Sequence, residues 1–268
     1  MLNLDTVKIG FIGYGNMSGA TARGLIHSGA IRPDQIYASA KNYDKLCQKA
    51  CEDGIHPCRT SQELAEHCDV IFIGVKPYLV EEVMSPLNDT IKGKLIISLA
   101  TNLFNEDLER IMPGSHHLYT APNTPVSVCE GIFILQEENT LTDEQKIFTE
   151  QLLQNLGLVV WMDQAHIGLG GVIAGCTPAF TSMYIEALGD AACKHGLPRK
   201  TAYSLIAQML VGTGKMALAS GDHPGQMKDA VCSPGGTTIV GVSALEQNGF
   251  RFALIDAIDQ IEQKIKGK

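Results

Sequence analysis

Through the first ~165 residues, short apolar runs alternate with segments of helical periodicity, and then the alternation stops. Residues 70–75 (VIFIGV) form a continuous apolar run of the kind that is buried on both sheet faces. Residues 7–12, 36–39 and 95–99 read as companion strands. Residues 18–27, 43–51 and 61–67 read as helices, and Pro77 opens another at its first position. Shorter strands at 118–121, 132–135 and 158–161 flank a helix at 142–156, whose Thr142…Gln145 start has the form of a capping box. Such alternation predicts a parallel, doubly wound sheet.

From residue 165 onward no strand pattern remains. Helices are expected over 165–174, 178–195, 198–220, 223–231, 234–247 and 249–266, punctuated by Gly196 with Pro198 and by Gly221 with Pro224. The expected fold is therefore α/β, with an N-terminal Rossmann-type doubly wound sheet (1–164) followed by an all-helical C-terminal domain (165–268). Residues 165–185 contain no Asp, Glu, Lys or Arg, which raises the question of a membrane span. His166, the glycines at 168, 170, 171 and 175, and Pro178 argue against one. A helix apolar all round must be buried on all sides. A helical domain this small achieves that against a second subunit, with Pro178 expected to start the long helix and Glu186 its one polar contact.

A formal charge of −8 disfavours a nucleic-acid partner. The eight cysteines show neither a CxxC pair nor an HxxxH companion, so they read as reduced, small hydrophobes and not as zinc ligands. The N-terminal MLNLD lacks a basic segment followed by an apolar run. A soluble, cytoplasmic protein is expected.

The segment VKIGFIGYGNMSGATARGL is a strand, a glycine turn and a helix start. Gly13 permits the tight turn and Gly15 lets the backbone approach a pyrophosphate. Amides around Asn16 and Met17 at the helix N-terminus can then hold that anion. The third fingerprint position carries Ser18 in place of glycine. At the end of the second strand an NAD enzyme has an acid on the ribose 2′-hydroxyl. Here Ser39, Lys41 and Asn42 stand there instead, a hydroxyl, a cation and an amide suited to a 2′-phosphate. NADP(H) is expected, with NADH the weaker alternative. Val75, Lys76 and Pro77, at the carboxyl end of the fourth strand, should border the crevice, where Lys76 meets a phosphate or carboxylate or is simply solvated.

These motifs, together with APNTPVSVCEG and HPGQMKDAVCSPGGTTIVGVSALEQNGFR, resemble those of pyrroline-5-carboxylate reductases over nearly the whole chain. The most specific part is Ser233-Pro234-Gly235-Gly236-Thr237-Thr238, followed by Leu245-Glu246 and Gly249-Phe250-Arg251. The resemblance implies NADPH-dependent reduction of L-1-pyrroline-5-carboxylate to L-proline by hydride transfer to the cyclic imine carbon. It also implies a homodimer with interlocked C-terminal helices, building into decamers. Ser233, Gly235, Gly236, Thr237 and Thr238 would bind the substrate carboxylate, Thr238 would hydrogen-bond the ring nitrogen, and Glu186 would face the ring or a partner loop. Ala100 and Thr101 would bind the cofactor, and Thr101 and Asn102 would lie near the nicotinamide.

Several positions depart from the family pattern. Thr101 and Asn102 replace Ala-Gly, Tyr119 replaces an arginine, Ala121 a methionine, and Cys176 and Thr177 replace Ser-Gly. Two other readings stay open at this point. One is a related NADP-dependent imine or β-hydroxyacid-type dehydrogenase, for which Lys194, Lys200, Lys215 and Lys228 are candidates by residue type. The other is a non-catalytic nucleotide-binding paralogue.

Overall fold

The computed structural model describes residues 2–267, which divide into two compact units between Gly175 and Cys176. The first unit runs β1 (Ile9–Ile12), α1 (Asn16–His27), β2 (Ile36–Ser39), α2 (Tyr43–Asp53), β3 (His56–Cys58), α3 (Ser61–His67), β4 (Val70–Ile73), α4 (Val80–Met84), β5 (Leu95–Ser98), α5 (Asn105–Ile111), β6 (His116–Pro122), β7 (Gly131–Gln136), α6 (Asp143–Leu153) and β8 (Gly157–Met162). Its eight strands form one sheet in the order β3-β2-β1-β4-β5-β6-β7-β8. All neighbours are parallel except β6 and β7. The switch in strand order falls between β1 and β4, where open α/β sheets bind ligands outside the strands' carboxyl ends.

Every residue of β1, β4 and β5 is buried, which is why these strands read as nearly continuous apolar runs. Alternate residues feed cores on opposite sheet faces. Phe11 and Phe72 stack at 4.9 Å in one core; Ile12, Ile71 and Ile73 pack with Leu64 in the other. Pairing starts at Ile9 opposite both Ile36 and Val70, so these strands end at a common carboxyl edge.

The structure corrects three expectations about elements and adds α5, a helix that was not anticipated. β3 is an additional strand, too short and polar to show a pattern. Its Pro57 is tolerated because β3 is the sheet edge. The N-terminal boundary of α10 (Thr237–Gln247) falls after the proline and glycines of 234–236, not at 234.

The third correction concerns α7 (Gln164–Lys194), which is continuous where two helices were expected, with Pro178 inside it. Proline lacks the N–H that would bond the carbonyl four residues back. That carbonyl belongs to Ala174, and it accepts instead from Asn123 Nδ2 at 3.1 Å. Asn123 is 6% exposed, and its Oδ1 accepts the Ile132 backbone N–H at 2.8 Å. One buried amide therefore repairs the helix and ties it to β7. Asn123→Leu strands both groups and should destabilise the protein by about 2–4 kcal/mol, read as a lowered urea midpoint. An unchanged midpoint would remove this role.

The second unit comprises the remainder of α7, then α8 (Arg199–Ser220), α9 (Pro224–Ala230), α10 and α11 (Phe250–Lys266). Within it α7 and α8 lie so close that a Cβ on Gly189 would run into the Tyr203 ring. Arg199 bonds both Asp190 at 2.6 Å and Tyr203 at 2.9 Å. In α8 only Ala202 is buried, and α9, α10 and α11 bury no described residue. Among the described residues no helix is long and apolar enough to cross a membrane.

Candidate active site

At the carboxyl edge of β1, the Gly13 N–H donates to Ser39 O at 2.8 Å and the Gly74 N–H to Ile12 O at 2.8 Å. These bonds bring the glycine turn against the ends of β2 and β4. Gly13 has φ +91°, and a Cβ there would sit 2.7 Å from both Val75 Cγ1 and Val75 N. Gly13, Ser39 and Val75 are thus gathered at the strand-order switch. Gly15 is the N-cap of α1, with φ −88° and open space where a Cβ would stand. No side chain caps this helix and no acid lies in its first turn. The amides of Asn16 and Met17 are left to an external anion, which the helix N-terminus favours. The cradle fits a dinucleotide pyrophosphate.

Ser18, at the third fingerprint position, is 1% exposed, and its hydroxyl has no hydrogen-bond partner among the described residues. A Cβ on Gly74 would collide with that hydroxyl. The extra atoms that Ser18 brings to the helix–strand contact therefore occupy the space that Gly74 leaves.

The residues expected around the ribose are more varied. Ser39 is buried, its hydroxyl 3.3 Å from that of Ser61. Asn42 Oδ1 caps α2 by accepting the Lys45 N–H at 2.9 Å, which leaves its Nδ2 as a donor. Lys41 is exposed. Ser61 and the neighbouring Arg59 also stand at this edge. Sequence reasoning missed both, because they follow a strand it did not recognise.

Lys76 is exposed and Pro77 begins a short 3-10 turn, Pro77–Leu79, leading into α4. After β5, Ala100 is buried while Thr101 and Asn102 are exposed, and Asn102 adopts φ +60°. Strained non-glycine backbone of this kind collects at functional sites. Tyr119, in the place of the family's arginine, lies beneath this turn, 3% exposed and edge-on to Phe104 at 5.1 Å. Burial pushes its phenol pKa up, an effect partly offset by the Asn102 backbone N–H. The phenol is neutral, so it supports the turn by shape and hydrogen bonding where an arginine would bring charge.

In the second unit, Ser233-Pro234-Gly235-Gly236 forms a turn closed by the Gly236 N–H donating to Ser233 O at 3.0 Å. Gly235, at φ +70°, takes the left-handed position after proline that a type II turn requires. Gly236 then caps α10 with no side chain satisfying its amides and no acid in its first turn. Thr237 and Thr238 are the first two residues of that helix, and they and Ser233 are exposed. A small carboxylate suits this terminus. Glu186 is exposed on α7, and Cys176 and Thr177 lie in α7 just before Pro178.

Residues 164–268 match the family model described as pyrroline-5-carboxylate reductase dimerisation. Residues 8–102 match one described as NADP oxidoreductase coenzyme F420-dependent. A pyrroline-5-carboxylate reductase of Treponema pallidum is 40% identical over 257 residues, covering 94% of this chain and 97% of that protein. That of Escherichia coli is 38% identical over 261 residues, covering 96% of each. The crystal structure of Plasmodium falciparum pyrroline carboxylate reductase with NADP bound superposes with a TM-score of 0.86 at 29% identity, covering 99% of both chains. With these two cradles, and with identity of this level running almost end to end, the chain belongs to the pyrroline-5-carboxylate reductase family.

Proposed function

We infer that this protein catalyses the NADPH-dependent reduction of L-1-pyrroline-5-carboxylate to L-proline. The observation that carries the reading is the uncapped, glycine-primed start of α10 at Ser233–Thr238, in a chain that also holds the glycine cradle at Gly13 and Gly15. Bound NADPH supplies the hydride.

The chain's own groups orient the imine. Amides of Gly236, Thr237 and Thr238, with the Ser233 hydroxyl, hold the substrate carboxylate against the positive end of α10. Gly235 shapes the approach. The Thr238 hydroxyl hydrogen-bonds the ring nitrogen, which carries a proton taken from solvent before the carbon accepts the hydride, so C=NH+ becomes CH–NH. A protonated imine is already electrophilic, so placement and a matched electrostatic environment carry most of the acceleration.

On the cofactor side, Asn16 and Met17 contribute their amides, and Ser39, Lys41 and Asn42 face the ribose phosphate. Val75, Lys76, Pro77, Ala100 and Thr101 border the nicotinamide half. The helical domain, 165–268, pairs with that of a second copy through interlocked helices. The support is that α9, α10 and α11 bury nothing within one chain. Glu186 lies on α7 as the polar group of that interlocked helix. The protein works in the cytoplasm.

The test mixes purified protein with NADPH and pyrroline-5-carboxylate, following loss of NADPH absorbance and formation of proline. Absence of turnover with NADPH still bound would overturn the reading. Thr238→Ala should lower kcat on the order of 100-fold with little change in NADPH affinity, because only a contact to the reacting ring is lost. Retention of full activity would remove Thr238 from the mechanism.

A further inference from the structure

The carboxyl edge of β2 and β3 holds a cation that none of the motifs above uses. These strands run parallel with Ser39 opposite Cys58, so the chain leaves both at the same edge. There the Arg59 guanidinium carbon lies 4.7 Å from the centre of the Tyr43 ring, and Tyr43 is the first residue of α2. Arg59 is exposed. The acids of this edge are Asp44 and Glu63. Glu63 does not pair with the guanidinium: its Oε2 accepts the Arg59 backbone N–H at 2.7 Å. The guanidinium fork thus lies over an aromatic face, and among the described residues none accepts a hydrogen bond from it.

The surrounding groups share that character. Asn42 has its oxygen used by the Lys45 N–H and its amide nitrogen free to donate. Lys41 is an exposed cation, and the paired Ser39 and Ser61 hydroxyls stand 3.3 Å apart. An edge at the end of the second strand of a dinucleotide fold, supplied with donors and two cations, matches a dianion. Lysine brings a point charge, whereas a stacked arginine brings a planar pair of donors already held in place.

We propose that Arg59, held over the Tyr43 ring, is the specificity-determining residue by which this chain recognises the 2′-phosphate of NADPH and discriminates against NADH. The proposal rests on the cofactor reading above. It adds to Ser39, Lys41 and Asn42 a residue from the neighbouring strand, which no glycine fingerprint would indicate. With a 2′-hydroxyl in place of phosphate, the guanidinium stays solvated on its ring, so NADH gains nothing from it.

Calorimetric titration of the intact protein with NADP+, NAD+, 2′,5′-ADP and 5′-AMP tests this without turnover. Arg59→Gln should weaken NADP+ and 2′,5′-ADP by about 30-fold, the loss of charge-assisted hydrogen bonds, while NAD+ and 5′-AMP shift by less than about 2-fold. Tyr43→Leu, which frees the guanidinium to wander, should weaken the same two ligands by about 5-fold. If Arg59→Gln does not fold, Arg59→Lys gives the same selective pattern at about 5-fold, because charge remains but fork and stack are lost. Equal weakening of NADP+ and NAD+, or no weakening of either, overturns the proposal. Wild-type protein that binds no NADP+ overturns the cofactor reading itself, a distinct result.

Discussion

Replacing Gly13 by alanine should cost about 3–5 kcal/mol of stability and weaken NADP+ binding by about 100-fold, because fold and cofactor cradle meet at this one residue. Its φ of +91° is strained for any side chain. The new methyl would also stand 2.7 Å from Val75 N and 2.8 Å from the Gly74 carbonyl carbon, which are backbone atoms of the next strand's exit and cannot rotate aside. Relief requires the β1–α1 turn to lift, and the amides of α1 move with it. Gly15→Ala is the control. There φ is −88° and no atom lies within 4 Å of the added Cβ, so the urea midpoint should stay within about 0.5 kcal/mol of wild type. Its methyl nevertheless stands in the space a pyrophosphate must enter, and NADP+ affinity should fall. A Gly13→Ala protein with wild-type midpoint and affinity would show that the turn is looser than its geometry indicates.

Where structure follows from neighbouring residues alone, the sequence was readable. The capping box expected at Thr142 is present with both bonds, Gln145 N–H to Thr142 Oγ1 at 3.2 Å and Thr142 N–H to Gln145 Oε1 at 3.0 Å. The fully buried strands β1, β4 and β5 announced themselves because both faces need apolar side chains. Misreadings arose where a distant residue overrides a local rule. Pro178 is a sound helix-start signal, overridden by an asparagine more than fifty positions earlier that takes over the freed Ala174 carbonyl. Ser18 looked like a damaged fingerprint until Gly74 showed where its hydroxyl fits.

The site was legible in the same uneven way. Gly13, Gly15 and Gly235 declared themselves by residue type, since positive φ or close approach is what glycine supplies. The turn at Ser233–Gly236 was missed, since the helix was expected from 234, although proline and glycine occupy the positions a type II turn needs. Arg59 and Ser61 could not be read, since their relevance depends on β3, a three-residue strand with no periodicity. The roles of Tyr119 and Asn102 were hidden for another reason. Nothing in the sequence shows that a buried phenol lies under a turn with left-handed backbone at Asn102; only their burial and φ reveal it.

Placing two aspartates on the helical unit's exposed apolar surface, through Val240→Asp with Phe252→Asp, should yield a monomer that has lost much of its helical circular dichroism yet still binds NADP+. Val240 is 68% exposed and Phe252 71% exposed in the single chain, and Met216 and Leu218 on α8 are 64% and 78% exposed. Monomeric proteins rarely leave so many large apolar side chains in water. Fully burying each such side chain is worth about 1.5–3 kcal/mol, and a twofold axis applies every substitution twice. The helical unit, with almost no interior of its own, is therefore expected to depend on a second copy for its fold. Melting of the wild-type protein should follow mass action, with Tm rising by roughly 1–4 °C for each tenfold increase in concentration. The first unit has its own two cores, so nucleotide binding survives in the double variant while proline formation does not. A monomeric variant that keeps full helicity and a concentration-independent melt would show instead that these helices stand without a partner.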